Sequence, residues 1–404
     1  MRPSPAALVV LAGVAAALHV GKLPPALPAL QLELGLSLLQ AAFLLSAVQL
    51  AGMALGLAGG ALADAWGARR SLLAGLTTLA LASAIGGFVT DATGLLVLRG
   101  IEGLGFMLAV LPAPGLVRQL AQPGSESTWL GLWGAYMPLA TALALLLGPG
   151  CVAAFGWPAW WWSLAAVAAL AAVAVGWGVP APARVASSEP AARGALQRFA
   201  NRVRRTLAAP GPWAVALAFG CYSAQWLAVI GFLPTLAAGQ TLALAPAWIA
   251  PLTALVAAAN IVGNLAAGRL LQAGWRAGRL LALGFAAMAL AALATFATVD
   301  TTPWLPTPLR YAAVLLFSAF GGLIPATLFA SALRLAPDPG HQASTIGWMQ
   351  QGSSAGQFAG PPLVAAVATA AGGWHWSGAV TAAFCAAGLV ISVWIAALLR
   401  QRGG

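Results

Sequence analysis

GGALADAWGARRS, residues 59–71, is a polar interruption between two apolar stretches of more than twenty residues each. Asp64, Gly67, Arg69 and Arg70 fall within seven positions of it. A bilayer core about 30 Å thick needs about 20 apolar residues in helical form. The stretch therefore reads as a short loop between two membrane-crossing helices, with charge confined to the turn.

Outward from this loop the pattern repeats. Twelve apolar segments are legible, at about 6–28, 38–62, 70–90, 93–118, 129–152, 157–179, 212–238, 245–268, 277–298, 309–334, 343–370 and 375–399, here called spans 1 to 12. Composition agrees, with 61% of the 404 residues hydrophobic and 7% charged. Soluble domains carry about 25% charged residues, so lipid is the natural solvent. Closed barrels are the other architecture that satisfies its backbone in lipid. Their alternating pattern is absent, which leaves helices. The first segment has the composition of a signal peptide, but eleven further spans follow it, which favours a first transmembrane helix.

The net charge of +11 reflects topology rather than nucleic-acid binding. With the N-terminus inside, sixteen of the eighteen arginines fall in inner stretches, Arg310 lies outside, and Arg99 lies within a span. This bias follows the positive-inside rule, so both termini are expected in the cytoplasm of a bacterial inner-membrane protein. Cys151, Cys221 and Cys385 are isolated. No disulfide, metal site or cofactor is expected.

The longest loop, 180–210, splits the chain into six spans and six. The expected divisions are 1–180, a basic linker 181–210, and 211–404. Within the linker, Leu196, Phe199, Val203 and Leu207 recur at helical spacing with arginines between them. That suits either a helix on an anionic membrane surface or a solvated linker. The halves look related. Arg118, Pro123, Gly124 and Gly131 are matched by Arg334, Pro339, Gly340 and Gly347 at one offset, and Gly148-Pro149 by Gly360-Pro361 at a nearby one. Parallel six-span repeats suggest two bundles facing a shared cavity.

Gly60, Leu62, Asp64, Gly67, Arg69 and Arg70 fit G-x-L-x-D-x-x-G-x-R-R. With this motif the chain resembles the major facilitator superfamily, whose loop 2–3 signature it is. The resemblance implies an all-α integral membrane fold of 12 transmembrane helices in two pseudo-symmetric six-helix bundles. It also implies a cytoplasmic gate at this loop, with an acceptor expected near His341–Ser344. A plain polar turn is the simpler reading. The second half carries a relic, GRLLQAGWRAGR at 268–279, with Gln272 where an acid would stand.

RGIEGLGF, residues 99–106, resembles the family's span-4 signature, R-x-x-Q/E-G-x-G. Gly103 and Gly105 let neighbouring helices approach. Arg99 and Glu102 lie three apart on one helix face and can pair. Charge at such depth tends to be functional, so Glu102 is a candidate proton site; a self-neutralising structural pair is the alternative. His19 and Lys22 in span 1 are again three apart. Lys22 either snorkels to the outer interface or faces the cavity, where it would attract an anion, and His19 could titrate near neutral pH. Tyr136, Gln225, Asn260, Gln350 and Gln351 complete the expected cavity lining. Spans 5 and 11 are interrupted by glycine and proline, including Gly352, Gly356, Gly360 and Pro361. The GxxxGPP stretch and the Arg/Glu pair resemble the cyanate/nitroimidazole-type branch of the superfamily.

The expected function is secondary transport of a small organic solute by alternating access, coupled to protons or another ion. The charge balance of Lys22 and Arg99 against Glu102 suits an anion. The rival reading is a proton-driven efflux antiporter for drugs or metabolites. No P-loop and no HExxH occur, so neither ATP-driven pumping nor intramembrane proteolysis is expected. The expected partners are the solute, the coupling ion and the bilayer, with no nucleic acid, and the expected state is a monomer.

Overall fold

The computed structural model describes residues 4–122, 129, 132–180, 191–239, 241–299 and 302–402, with backbone alone at 59–65, 191–196, 198, 299 and 339. Among these residues nine helices are long and apolar enough to cross a membrane. One of them, Tyr136–Gly178, has 43 residues, twice a bilayer's requirement, and turns at Gly156 (φ 80°, ψ 163°). That backbone region is open to glycine and closed to side chains with a Cβ. Gly156 therefore divides spans 5 and 6. Helices Ala68–Gly86 and Gln342–Ala370 occupy the third and eleventh places, so all twelve expected spans are helical.

Several spans are broken, three of them beside proline and span 2 without one. Span 1 comprises Pro5–Gly21 and Leu23–Leu34, meeting at Lys22 just before Pro24 and Pro25. Proline has no N–H to give the carbonyl four residues back. Span 2 comprises Leu38–Ala47 and Leu50–Trp66. Span 4 breaks between Ala92–Val110 and Ala113–Leu120, and span 10 between Thr307–Gly321 and Leu323–Leu335. The remaining spans are Pro210–Ala238, Pro246–Gln272, Ala277–Phe296 and Ser377–Gln401. A two-stranded antiparallel ladder before span 10 pairs Thr298 with Pro303 and Val299 with Thr302. Arg310 lies in the first turn of span 10, at the end of that span expected to face outside. It is 4% exposed and donates from Nε to the Thr295 carbonyl at 3.0 Å.

Helix neighbours repeat between the halves. Span 1 lies along span 5 as span 7 lies along span 11, and span 3 meets spans 4 and 6 as span 9 meets spans 10 and 12. Across the halves, span 2 touches span 11 and helix Tyr136–Gly178 touches span 8. In lipid, helices associate through close van der Waals packing rather than the hydrophobic effect. Glycine supplies that closeness here. A Cβ at Gly352, Gly356 or Gly360 would lie 2.5, 2.2 or 2.1 Å from the carbonyl oxygens of Ala216, Gly220 and Ala224 in span 7. In the first half, a Cβ at Gly148 would lie 2.6 Å from Pro25 of span 1. Gly103 meets the Val48 carbonyl of span 2 and Gly105 the Gly75 carbonyl of span 3, which clamps span 4 between them. Pro149 and Pro361 each follow these contact glycines by one residue.

The seam between the halves is built differently. Gln49 Nε2 donates to Gln357 Oε1 at 3.0 Å, Ser354 Oγ donates to Gln49 Oε1 at 3.3 Å, and the Leu57 N–H donates to Gln351 Oε1 at 2.9 Å. Phe43 meets Phe358 with ring centroids 6.4 Å apart. Interhelical hydrogen bonds in membranes average about 0.6 kcal/mol. The seam thus combines weak, exchangeable hydrogen bonds with glycine contacts to side chains, Gly52 on Ser354 and Gly56 on Gln351, while within each half glycines seat on backbone carbonyls.

Candidate functional site

Four charged or titratable side chains predicted separately in spans 1 and 4 meet inside the first half. His19, Lys22, Arg99 and Glu102 are each at most 1% exposed. Lys22 forms an ion pair with Glu102 Oε1, and its Nζ donates to Ser83 Oγ at 2.9 Å. Arg99 Nη1 donates to Glu102 Oε2 and to the His19 carbonyl, each at 2.6 Å. The Lys22 ammonium sits 4.4 Å from the centroid of the Trp161 ring, a cation–π position.

The chain breaks described above make this possible. At the break in span 2 the Val48 N–H turns to the Ser46 carbonyl instead of Leu44. The Leu44 carbonyl then accepts from Arg99 Nε at 3.2 Å. At the break in span 1 the Lys22 carbonyl accepts from Trp160 Nε1 at 3.0 Å. Lys22 therefore turns inward between spans 3, 4 and 6 and does not snorkel.

The cluster is unbalanced. Two basic side chains face one carboxylate. Among the described residues, Arg99 Nη2 and both ring nitrogens of His19 have no hydrogen-bond partner. The His19 Nδ1–Glu102 separation of 3.7 Å exceeds hydrogen-bond reach. A buried donor without a partner costs about 1–3 kcal/mol. The arrangement is chemically suited to an extra negative charge or to movement of a proton.

The other expected lining residues are held elsewhere. Gln225 donates to the Cys221 carbonyl and accepts from the Cys385 thiol, turning into the second half. Asn260 donates to Tyr222 Oη at 2.9 Å and to the Ser318 carbonyl at 3.0 Å. Tyr136 stacks on Trp133 at 4.5 Å between centroids. Gln351 lies on the seam, and Gln350, beside it, is half-buried. Sequence reasoning missed Ser83 and Trp161, which hold Lys22, and Gln49, the centre of the seam. Gln49 carried a usable signal as an amide inside a span; Ser83 and Trp161 resemble many other span residues.

At the loop between spans 2 and 3, Gly67 takes φ 91°, and Gly274 takes φ 85° at the corresponding turn of the second half. Gly60 and Asp64 of the motif fall where side chains lie outside the described residues. Arg69 donates to the Val179 and Gly176 carbonyls at 2.8 and 2.6 Å, capping the end of span 6. The contact expected with His341–Ser344 is not made by this arginine, because the unpaired carbonyls and negative dipole end of span 6 lie nearer. Arg70 is exposed. Arg69→Ala is expected to lower folding stability by about 1.5–3 kcal/mol, the range for hydrogen bonds to a charged group. Arg70→Ala is expected to stay within about 0.5 kcal/mol. Thermal melts in detergent check the order, and a larger loss at Arg70 would contradict the capping role.

Twelve helices in two related halves, joined by a separable seam, define a membrane transporter rather than an enzyme. The family model described as Major Facilitator Superfamily matches residues 9–338, and the chain belongs to that superfamily. Among solved structures it is similar to a D-xylose–proton symporter, with a TM-score of 0.75 and 16% identity over 96% of each chain. It is also similar to a bacterial homologue of the human lysosomal transporter Spinster, inward-facing and unoccupied, with a TM-score of 0.71 and 16% identity over 100% of this chain and 99% of that one. At such identity the likeness shows the fold alone. Among curated relatives, a 125-residue stretch is 36% identical to the puromycin resistance protein pur8 of Streptomyces alboniger, covering 30% of this chain and 25% of the relative. A 159-residue stretch is 31% identical to the tetracenomycin C resistance and export protein of Streptomyces glaucescens, covering 39% and 30%. The matches span less than a third of those relatives' length.

Proposed function

We propose that this transporter moves a small organic anion across the bacterial inner membrane by alternating access, coupled to protons. The observation that carries the reading is the buried cluster of Lys22, Arg99, Glu102 and His19, with one positive charge unbalanced and donors unpartnered. An isolated charge in low dielectric is expensive, and a carboxylate-bearing solute offsets it. Glu102 and His19 carry the proton: the two cations hold Glu102 ionised while paired with it, and His19 Nδ1, 3.7 Å away with no hydrogen-bond partner, is placed to pass it a proton once those pairs part. The proton coupling of the structurally similar D-xylose symporter supports this assignment. Residues 1–180 and 211–404 act as the two moving bodies, 181–210 links them, both termini are cytoplasmic, and the protein works as a monomer.

The experiment is uptake into proteoliposomes under an imposed pH gradient. A set of carboxylates is compared with their neutral amides and with hydrophobic cations. Accumulation of a carboxylate, lost with its amide and lost in Lys22→Met, is the expected result. Transport of cations against the proton gradient, with carboxylates ignored, would instead establish an efflux antiporter. That second reading is favoured by the local similarity to the two resistance proteins.

A further inference from the structure

The linker helix, Ala191–Ala208, lies against spans 7 and 11. Thr206, fully buried, pairs its hydroxyl with that of Ser344 at 2.7 Å, near the start of span 11. Phe199, Val203 and Leu207 are half-buried, while Asn201, Arg202, Arg204 and Arg205 are exposed. Beside this basic face opens a cleft of about 320 Å³, lined by Asn201, Arg202, Arg204, Arg205 and His341. Among the described residues no hydrogen bond or ion pair engages the guanidinium of Arg202 or Arg204.

His341 is the residue that caps the N-terminus of span 11 and is 9% exposed. Its Nδ1 lies 2.6 Å from Asp338 Oδ1, which also accepts from the Gly340 N–H. That hydrogen bond to His341 holds the Asp338 carboxyl below the usual carboxylate range. Asp338 is thus occupied as an orienting group for the imidazole, and among the described residues it is the one acid beside three arginines. The positive end of span 11 adds to the same field.

We propose that this cleft binds the phosphate of an anionic lipid headgroup and so fastens the linker helix to the start of span 11. Guanidinium forks match phosphate oxygens in number and geometry. The lipid source follows from the level at which the cleft lies. Trp213 is 39% exposed, donates from Nε1 to the Leu207 carbonyl at 2.8 Å, and meets Trp348 edge-on at 4.8 Å. Exposed tryptophans at span ends mark the headgroup region. The linker helix therefore offers its arginines where lipid phosphates are, on the face that the arginine bias assigns to the cytoplasm. The proposal does not depend on which solute is carried.

The test uses the purified full-length protein. Native mass spectrometry measures retention of phosphatidylglycerol against phosphatidylcholine, and a parallel thermal-shift series uses inorganic phosphate alone. Each basic residue near an anionic surface contributes about 1 kcal/mol, or about fivefold in affinity. The double variant Arg202→Gln/Arg204→Gln is therefore expected to weaken phosphatidylglycerol retention about 25-fold. Arg269→Gln, an exposed arginine at the end of span 8, is expected to leave it unchanged. A phosphate-induced shift that the double variant abolishes, without selective lipid retention, would keep the phosphate site and assign it to the free ion. Equal retention of both lipids with no phosphate response, or an effect of Arg269→Gln as large as that of the double variant, overturns the proposal.

Discussion

Glu102→Gln is expected to be the most destabilising single change in the charged cluster, and Lys22→Met the mildest. The glutamine is nearly isosteric but leaves Lys22 and Arg99 facing each other with no counter-charge, at positions no more than 1% exposed. Removing one partner of a buried ion pair typically costs about 3–5 kcal/mol because the other charge is stranded. Lys22→Met acts in the opposite direction. It leaves Arg99 with Glu102 at 2.6 Å, a neutral pair, and keeps an apolar chain against Trp161. The double variant Lys22→Met/Glu102→Gln has one cation and no acid, so its stability should fall between the two. Melting temperatures in detergent, read as a double-mutant cycle, give the order. Glu102→Gln melting like the unmodified protein would remove the charge argument and with it the case for an anion.

Oxidising the pair Gly56→Cys/Gln351→Cys is expected to abolish transport, and reduction to restore it. A Cβ built on Gly56 lies 3.0 Å from the Cβ of Gln351. A disulfide holds its Cβ atoms about 3.8 Å apart, so the two backbones need to part by about 0.8 Å. The site lies just to the inner side of the middle of span 2, on the seam where the two halves must part if access alternates. Cys151, Cys221 and Cys385 are replaced first. A protease site placed in the linker then reports cross-linking, because bonded halves stay together after cleavage. Full activity in a fully cross-linked population would show that this part of the seam does not open.

Most of the fold was legible because lipid imposes a simple rule on sequence. Length and apolarity gave all twelve spans, and the glycine ladder of span 11 was visible as a period of four. The two spans that fail a strict apolarity test, Ala68–Gly86 and Gln342–Ala370, do so for local reasons. The first opens with Arg69 and Arg70, and the second carries Gln351 and Gln357, which serve the seam, and Gln350 beside them. The charged residues of the site were legible as well, since charge is rare in such a chain. Their mutual arrangement was not. Whether Lys22 turns toward water or toward Glu102 depends on the break before Pro24 and on Ser83 and Trp161, which come from spans 61 and 139 residues further along the chain. Arg310 shows the same limit. Its place at the outer end of span 10 was legible, but not the Thr295 carbonyl at the end of span 9 that draws its side chain into the protein.

The glycine contacts between spans 7 and 11 have a mechanical consequence. Gly352, Gly356 and Gly360 seat on successive turns of span 7 so closely that no side chain fits between the backbones. Such a track is keyed. Sliding by one residue would bring Ser353 or Gln357 onto the same carbonyls, and the next matching position is four residues, about 6 Å, away. The two helices therefore travel as a single beam. Whatever displacement turns the site from one side of the membrane to the other falls on the contacts of span 2, where Gly52 and Gly56 meet side chains that can swing aside rather than backbone carbonyls.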